Sequence, residues 1–189
     1  MKDRKLINAE LHRISAEEYG VQKPSGVAVV LDNVRSAYNV GSVFRSSDAF
    51  HADKVLLCGI CALPPSAEIH KTALGAEDVV PWEHYADTLE AVRALKADGY
   101  TVVAVEQTEH SVKLGSGAGD GKTALPGDEP GAKYAFVFGN EVEGVQQAVV
   151  DECDFALEIE QHGTKHSLNV AVTAGIVLFA AANRLKESV

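Results

Sequence analysis

Three short polar segments of the sequence contain the residues that are best suited to chemistry. They read "NVGSVFR" at 39–45, "FGNEVEG" at 138–144 and "HGTKHSLNVAVTAG" at 162–175. Their side chains combine amide, hydroxyl, carboxylate and guanidinium groups, which can orient a hydroxyl group and a phosphate. The loop backbone beside them can hold a neutral heterocycle. The candidate catalytic residues are Asn39, Arg45, Glu141, Ser167 and Asn169.

Each segment taken alone also has a purely structural interpretation. Asn39 can cap a helix by accepting a hydrogen bond from an unpaired backbone N–H group, and Gly41 can serve a turn or close packing. Glu141 can be a solvated acid in a glycine-bounded loop, and Asn169 can be a second cap. None of these roles accounts for Arg45, which lies six residues beyond Asn39.

The apolar pattern predicts the strands and helices that must position these segments. Short continuous apolar runs are typical of strands that are buried on both faces. The predicted strands are 26–32, 54–60, 100–107, 134–139 and 155–160. The predicted helices are 5–19, 39–50, 67–73, 87–99, 144–152 and 167–186. This alternation indicates an α/β fold with a mainly parallel sheet flanked by helices, in which the strand carboxyl ends bring the three segments to one edge.

Length and composition predict one domain. A chain of 189 residues with 46% hydrophobic content can bury one good core. We therefore expect a single domain over residues 1–189, in which residues 1–24 form a short N-terminal helical extension. Residues 1–20 lack the apolar stretch of a signal peptide, and the apolar run 170–182 is shorter than the roughly 18 residues of a membrane span. A cytoplasmic location is expected.

The charge is unevenly distributed along the chain. A net charge of −10 by itself argues against a nucleic-acid partner, because phosphate binding depends on Lys and Arg. Residues 1–71, however, hold nine Lys/Arg and eight Asp/Glu (net +1), whereas residues 72–189 hold eight and nineteen (net −11). A polyanion would therefore approach the N-terminal part, although solvated surface charge explains most of its cations better. The candidate nucleic-acid contacts are Arg35, Arg45 and Lys71.

Two other motifs resemble known functional sites but fail on their context. "SGAGDGKT" (116–123) approaches a phosphate-binding P-loop, but Ser116 replaces the first glycine and Pro126 excludes the long helix that must follow. "CGIC" (58–61) is compatible with redox chemistry or half a zinc site, but Cys153 is the only other cysteine. We interpret the first motif as a polar loop and the cysteines as structural, and we expect no metal. A dinucleotide-binding G-x-G-x-x-G motif after the first strand is also absent.

Together, the three segments resemble the SpoU (TrmH-like) family of RNA ribose methyltransferases. The resemblance rests on "N-x-G-x-x-x-R", "G-x-E-x-x-G" and "S-L-N-V", which occur in this order, and it covers about residues 25–186. It implies transfer of a methyl group from S-adenosylmethionine to the 2′-hydroxyl group of an RNA ribose. It also implies a homodimer with the last helix at the interface and a C-terminal trefoil knot, which periodicity alone does not predict.

The resemblance assigns site residues in this sequence. Asn39 and Arg45 would face the acceptor, Glu141 would lie beside them, and Ser167 and Asn169 would complete the site. The cofactor would contact mainly the backbone of three loops that follow the last three predicted strands. The residues assigned to the cofactor are Val105, Glu106, Gln107, Gly139, Asn140, Ile159, Gly163 and Leu168.

The chain departs from the family pattern at one loop, and its substrate stays open. Many relatives have Ile-Pro-Met where this sequence continues from Ile159 to Glu160 and Gln161. A tRNA is favoured over an rRNA as acceptor, because relatives that consist of the catalytic domain alone often act on tRNA. Two alternatives remain: a methyltransferase for a small molecule or protein, and a non-catalytic module that binds cofactor or RNA. The joint presence of the five candidate catalytic residues disfavours the module.

Overall fold

The described part of the chain consists of one seven-stranded sheet with helices on both faces. A computed structural model describes residues 3–7, 10–11, 13–115, 131–164 and 167–187, and in the last helix side chains as far as residue 182. The strands are β1 (Val27–Asp32), β2 (Lys54–Cys58), β3 (Trp82–Tyr85), β4 (Thr101–Val105), β5 (Val112–Lys113), β6 (Tyr134–Gly139) and β7 (Phe155–Glu158). The helices are α1 (Ala16–Val21), α2 (Ala37–Ala49), α3 (Ala67–Ala73), α4 (Thr88–Ala97), α5 (Gln147–Glu152) and α6 (Val170–Glu187), and a 3-10 turn covers Ala76–Asp78.

Every strand pair of this sheet is parallel. The strand order is β3-β2-β1-β6-β4-β7-β5, so β6 lies in the middle with β1 and β4 as its neighbours. The expectation of a mainly parallel sheet flanked by helices is therefore confirmed. The C-terminal knot stays a prediction, because strand order and pairing do not describe how the chain is threaded.

The two faces of the sheet carry separate apolar clusters. One cluster packs alternate residues of the central strands, such as Leu31 and Phe136, against α2, α3 and α6. The other packs Val30 and Val137 against α4 and α5. Residues 27–32 of β1 are all buried, because side chains on both faces of this strand are covered by helices.

Gly41 allows α2 and α3 to pack closely against each other. A Cβ atom at this position would overlap the Thr72 hydroxyl oxygen and the Ile69 carbonyl oxygen. The Thr72 hydroxyl group also donates a hydrogen bond of 2.9 Å to the carbonyl group of Tyr38, which ties the first turn of α2 to α3. Close packing rather than a turn is therefore the role of this glycine.

The structure differs from the sequence-based expectation mainly at short elements. The predicted helix over 5–19 is wrong in extent: residues 3–7 are not helical, and α1 begins at Ala16, where Ser15 and Glu18 form a capping box. Strands β3 and β5 are not among the strands that the sequence predicts, since they are short edge strands without a continuous apolar run. None of the described helices has both the length and the apolar content that crossing a membrane would require.

Candidate functional site

A cleft of about 960 Å³ lies at the carboxyl ends of β4, β6 and β7, which is the edge that the sequence predicts. Glu141 and Ser167 of the candidate catalytic set line it, whereas Gly163 of the predicted cofactor residues is not among its lining residues. The predicted cofactor residues that line the cleft are Val105, Glu106, Gln107, Gly139, Asn140, Ile159 and Leu168. The loops after three neighbouring strands thus converge as expected for an open α/β sheet.

The lining of the cleft is acidic. No Lys or Arg side chain is among the described residues that line it. Because like charges repel more strongly where water is partly excluded, this lining disfavours a polyphosphate and favours a ligand with a cationic centre. The acidic lining residues are Glu106, Glu109, Glu141, Glu143, Asp151 and Glu158.

Residues from the three polar segments meet in one hydrogen-bonded cluster at the edge of this cleft. The Asn39 side-chain amide donates a hydrogen bond to the Glu141 carboxylate. The Asn169 side-chain amide donates one to the side-chain oxygen of Asn39 at 3.1 Å. Asn169 also caps α6, since its side-chain oxygen accepts a 2.9 Å hydrogen bond from the N–H group of Ala171. Positions separated by 102 and 130 residues in the sequence are therefore held together.

The predicted capping role of Asn39 is wrong. The residue that caps α2 is Ser36, whose hydroxyl oxygen accepts a hydrogen bond from the Asn39 N–H group at 3.3 Å. Asn39 lies in the first turn of the helix, so its side chain is available to bridge Glu141 and Asn169. Asn39 therefore has no capping role, and its side chain forms hydrogen bonds with Glu141 and Asn169 instead.

The loop 139–145 that carries Glu141 is tightly folded. The side-chain oxygen of Asn140 accepts hydrogen bonds from the N–H groups of Val142 at 3.0 Å and Glu143 at 2.9 Å. A Cβ atom on Gly139 would overlap the backbone of Gly144, so the loop closes directly over the end of β6. The Asn140 side chain is therefore engaged in folding the loop, and the backbone of Asn140 is the part that remains to contact a ligand in the cleft.

Two carboxylates that the sequence did not single out for this purpose hold the far end of the same loop. The Glu106 carboxylate accepts a hydrogen bond from the N–H group of Val145 at 3.0 Å, and the Asp32 carboxylate accepts one from the N–H group of Gln146 at 2.9 Å. Asp32 is fully buried. It also accepts hydrogen bonds from the Gln146 side-chain amide at 2.8 Å and from the Thr88 hydroxyl group at 2.7 Å. The available signal was an acid at the end of an apolar strand, which is a costly residue to bury without partners.

Replacing Asp32 with alanine is expected to lower the free energy of unfolding by about 2–4 kcal/mol, because buried donors left without an acceptor cost about 1–3 kcal/mol each. The donors left without this acceptor are the Thr88 hydroxyl group, the Asn33 side-chain amide, and the backbone and side-chain N–H groups of Gln146. Urea unfolding followed by circular dichroism measures the change. Asp48→Ala is the matched control, since Asp48 is exposed on α2, and it should change stability by less than about 0.5 kcal/mol. Equal stability of the two variants would contradict the role given to Asp32.

The three candidate nucleic-acid contacts are all exposed, outside the cleft. Arg35 lies in the connection from β1 to α2, Arg45 lies on α2, and Lys71 lies on α3. Arg45 makes no hydrogen bond or ion pair with any other described residue. The ammonium group of Lys71 lies 5.7 Å from the centre of the Tyr38 ring. The contacts among the described residues therefore do not explain why position 45 is an arginine.

The cysteines have the surroundings of structural residues. Cys61 accepts a hydrogen bond from the Val34 N–H group at 3.1 Å and donates one to the Leu31 carbonyl group at 3.2 Å. Burial raises the pKa of the Cys58 thiol to about 12 and that of the Cys61 thiol to about 11. Both thiols stay protonated at neutral pH, whereas redox catalysis and metal binding need the thiolate.

Three other regions do not change the assignment of the cleft. Glu160 is exposed and bonds to Lys113 at 2.5 Å, which lowers the pKa of the Glu160 carboxyl group, while Gln161 lines the cleft. His70, Glu77 and Asp78 bring ligand-type atoms within 4.8 Å of one another at a separate hollow, but Glu77 is already bonded to His70 and the Gly75 N–H group. The P-loop-like segment 116–123 lies outside the described residues. The expectation of no metal stays a prediction.

Comparison with known proteins gives a consistent match. A sequence model described as "SpoU rRNA Methylase family" matches residues 26–179. A curated protein of Nitrosomonas europaea, named 23S rRNA (guanosine-2'-O-)-methyltransferase RlmB, is 32% identical over 160 residues, which is 85% of this chain and 56% of that protein.

Solved structures with the same fold match over most of the chain. An AdoMet-bound rRNA methyltransferase of Sinorhizobium meliloti is 28% identical with a TM-score of 0.73, covering 86% of this chain and 61% of that one. A TrmH/SpoU tRNA modifying enzyme of A. aeolicus is 24% identical with a TM-score of 0.75, covering 91% of this chain and 81% of that one, and it shows the fold alone. The chain thus spans less than two thirds of the length of the Nitrosomonas and Sinorhizobium proteins.

Proposed function

Because the chain belongs to the SpoU rRNA methylase family, we propose that it is an S-adenosylmethionine-dependent methyltransferase acting on the 2′-hydroxyl group of an RNA ribose. The observation that carries this proposal is the hydrogen-bonded contact of Asn39, Glu141 and Asn169. Each of these residues comes from a different motif of the family resemblance. A chain that merely kept the fold would have no need to keep three distant polar side chains in contact at the edge of a cleft.

The residues of the cleft fit S-adenosylmethionine. This cofactor, when bound, supplies an electrophilic methyl group on a cationic sulfonium centre. The acidic lining suits that charge, whereas it would oppose the phosphates of a nucleotide cofactor. The closely folded backbone at Gly139 and the apolar side chains of Val105, Ile159 and Leu168 suit the edge and faces of an adenine ring.

The residues around the cleft have distinct proposed roles toward the acceptor. Asn39 and Asn169 orient the Glu141 carboxylate through the hydrogen bonds of the cluster. Ser167, which lines the cleft, supplies a hydroxyl group near the same edge. Arg45 supplies a positive charge, which holds a neighbouring phosphate and stabilises the alkoxide that develops as the ribose hydroxyl group passes its proton to the Glu141 carboxylate.

We place rRNA ahead of tRNA as the acceptor class, which revises the sequence-based preference. The Nitrosomonas and Sinorhizobium relatives are both named as rRNA enzymes. The exposed cations Arg35, Arg45 and Lys71 support an RNA over a small molecule or a protein. Arg35 and Arg45 lie four residues before and six residues after Asn39 in the chain, Lys71 lies 5.7 Å from the ring of the neighbouring Tyr38, and none of the three lines the acidic cleft. A methyltransferase for a non-RNA substrate is the alternative that the experiment below excludes or supports.

We also propose a homodimer with α6 at its interface. Val172, Ile176 and Phe179 are 52%, 38% and 57% exposed, and their spacing of four and three residues places them on one face of this helix. Solitary exposed apolar residues are common, but an apolar helix stripe left open to water indicates a contact surface. A monomeric mass in light scattering would contradict this assignment.

The experiment that tests the function is methylation of purified total rRNA and tRNA with a labelled donor, followed by mass spectrometry of the nucleosides. The expected result is label in a 2′-O-methylated nucleoside of rRNA. Glu141→Ala should reduce the single-turnover rate about tenfold or more, whereas Glu143→Ala in the same loop should have little effect, because only Glu141 is bonded to Asn39. Label in base positions, in protein or in small molecules instead would contradict the proposal.

A further inference from the structure

Tyr38 is an exposed aromatic residue beside the Asn39 cluster. It lies in the first turn of α2 and is 48% exposed, so its ring gains little from burial in this fold. The neighbouring residue in the chain, Asn39, is bonded to Glu141 and Asn169. A molecule that contacts the Tyr38 ring would therefore lie next to the proposed acceptor site.

The backbone of Tyr38 is held firmly for a surface residue. Its carbonyl group accepts one hydrogen bond from the Thr72 hydroxyl group of α3 and another from the Ser42 hydroxyl group of α2, both at 2.9 Å. The close approach of α3 at Gly41 makes the first of these bonds possible. The ring is thus attached to a fixed point, as a stacking surface for a ligand requires.

Two cations lie close to Tyr38 in space or in the chain, although the protein as a whole is acidic. The Lys71 ammonium group lies over the ring at 5.7 Å from its centre, and Arg35, three residues before Tyr38 in the chain, is exposed in the segment just before α2. An aromatic face flanked by Lys or Arg is the combination with which proteins bind single-stranded nucleic acid, since bases stack on the ring and phosphates meet the cations. We call Tyr38, Lys71 and Arg35 the Tyr38 platform.

We propose that the Tyr38 platform binds an unpaired nucleotide of the RNA, next to the one that is methylated, with its base stacked on Tyr38 and its phosphate held by Lys71 or Arg35. This inference rests on the proposed function and extends it to the conformation of the substrate. In an A-form duplex every base is already stacked on its neighbours and cannot lie on the ring. The preferred acceptor is therefore in a loop, a bulge or another single-stranded region.

The test measures binding without cofactor, using a fluorescent RNA hairpin with an unpaired loop and a perfect duplex of equal length. The protein should bind the hairpin more tightly, and Tyr38→Ala should weaken hairpin binding about 5- to 150-fold, the range found for loss of one base-stacking aromatic. Tyr38→Phe keeps the ring and should bind like the wild type. Tyr38→Leu keeps an apolar side chain without a π face and should behave like Tyr38→Ala. Val21→Ala, at an 84% exposed position at the end of α1, is the control.

The salt dependence separates the two parts of the platform. Lys71→Ala should weaken binding of both RNAs and reduce the slope of log K against log salt by about 1, as expected for loss of one phosphate contact. Tyr38→Ala should leave that slope unchanged. Hairpin affinity that is insensitive to Tyr38→Ala, or a changed oligomeric mass of that variant, would overturn the platform.

The outcome for the platform is independent of the outcome for catalysis. A wild-type protein that methylates RNA while Tyr38→Ala binds the hairpin normally refutes the platform and leaves the proposed function standing. A wild-type protein that shows Tyr38-dependent hairpin binding but transfers no methyl group to any RNA refutes the proposed function and supports the platform.

Discussion

Replacing Arg45 with alanine is expected to reduce the single-turnover rate of methyl transfer by about 10²- to 10³-fold, the usual cost of removing one group that stabilises developing negative charge. Folding and cofactor binding should change little. Arg45 is exposed, lies outside the cleft and contacts no other described side chain by a hydrogen bond or ion pair, so its removal breaks no contact among the described residues. The proposed role of this side chain is therefore toward the substrate.

Three measurements on this variant separate catalysis from structure. Thermal unfolding reports the fold, calorimetry with S-adenosylmethionine reports the cleft, and rapid-quench methylation reports the chemical step. Arg93→Ala is the matched control, because Arg93 is also an exposed helix arginine, on α4, whose one ion pair with a described residue is to Glu152 at 3.3 Å. Near-wild-type rates for Arg45→Ala would assign Arg45 to the helix surface and remove it from the site.

Arg45→Lys distinguishes the kind of interaction. A lysine keeps the positive charge, but its ammonium group cannot reproduce the planar, two-pronged contact of a guanidinium group with phosphate. If this variant is as slow as Arg45→Ala, geometry is required, and if it recovers most of the rate, charge alone is sufficient.

The sequence predicted the central elements of the fold because their residues are buried on both sides. Residues 134–139 were predicted as a strand with the bounds that β6 has, and the helix predicted over 67–73 coincides with α3. Such elements show a continuous apolar run or a clear helical spacing, and local pattern is then sufficient. The edge strands β3 and β5 are only partly buried, and their pairing depends on β2 and β7, which local pattern does not reveal.

The site was predictable as three motifs but not as a set of contacts. Sequence spacing predicted that Asn39, Glu141 and Asn169 come to one edge, and the structure brings them into direct hydrogen bonds. The roles of Asp32 and Glu106 depend on which backbone N–H groups of a distant loop face them, and no local signal specifies that. Tyr38 was missed for the same reason, since its exposure and its neighbour Lys71 follow from the packing of α2 on α3.

Replacing Gly139 with alanine is expected to weaken binding of S-adenosylmethionine about 10- to 100-fold. The added Cβ atom would overlap backbone atoms of Gly144 and Val145, and backbone cannot move aside as a flexible side chain can. The loop 139–145 must shift to relieve the overlap, which costs about 1–3 kcal/mol for overpacking of this kind. Because this loop lines the cleft and carries Glu141, the shift changes the surface that the cofactor contacts.

Gly163 is a position at which the cofactor contact expected from the sequence resemblance differs from the one expected from the structure. Both glycines were assigned to the cofactor by family resemblance, but only Gly139 lines the cleft, and a Cβ atom on Gly163 has no described atom within 4 Å outside its chain neighbours. Calorimetry should therefore show nearly unchanged affinity for Gly163→Ala, as for Gly20→Ala in α1, where the space is also open. Equal losses of affinity in Gly139→Ala and Gly163→Ala would show that the cofactor extends beyond the cleft described above, as far as Gly163 in the loop after β7. An unchanged affinity in Gly139→Ala would place the cofactor elsewhere, because the tightest backbone contact of the cleft would then be irrelevant to its binding.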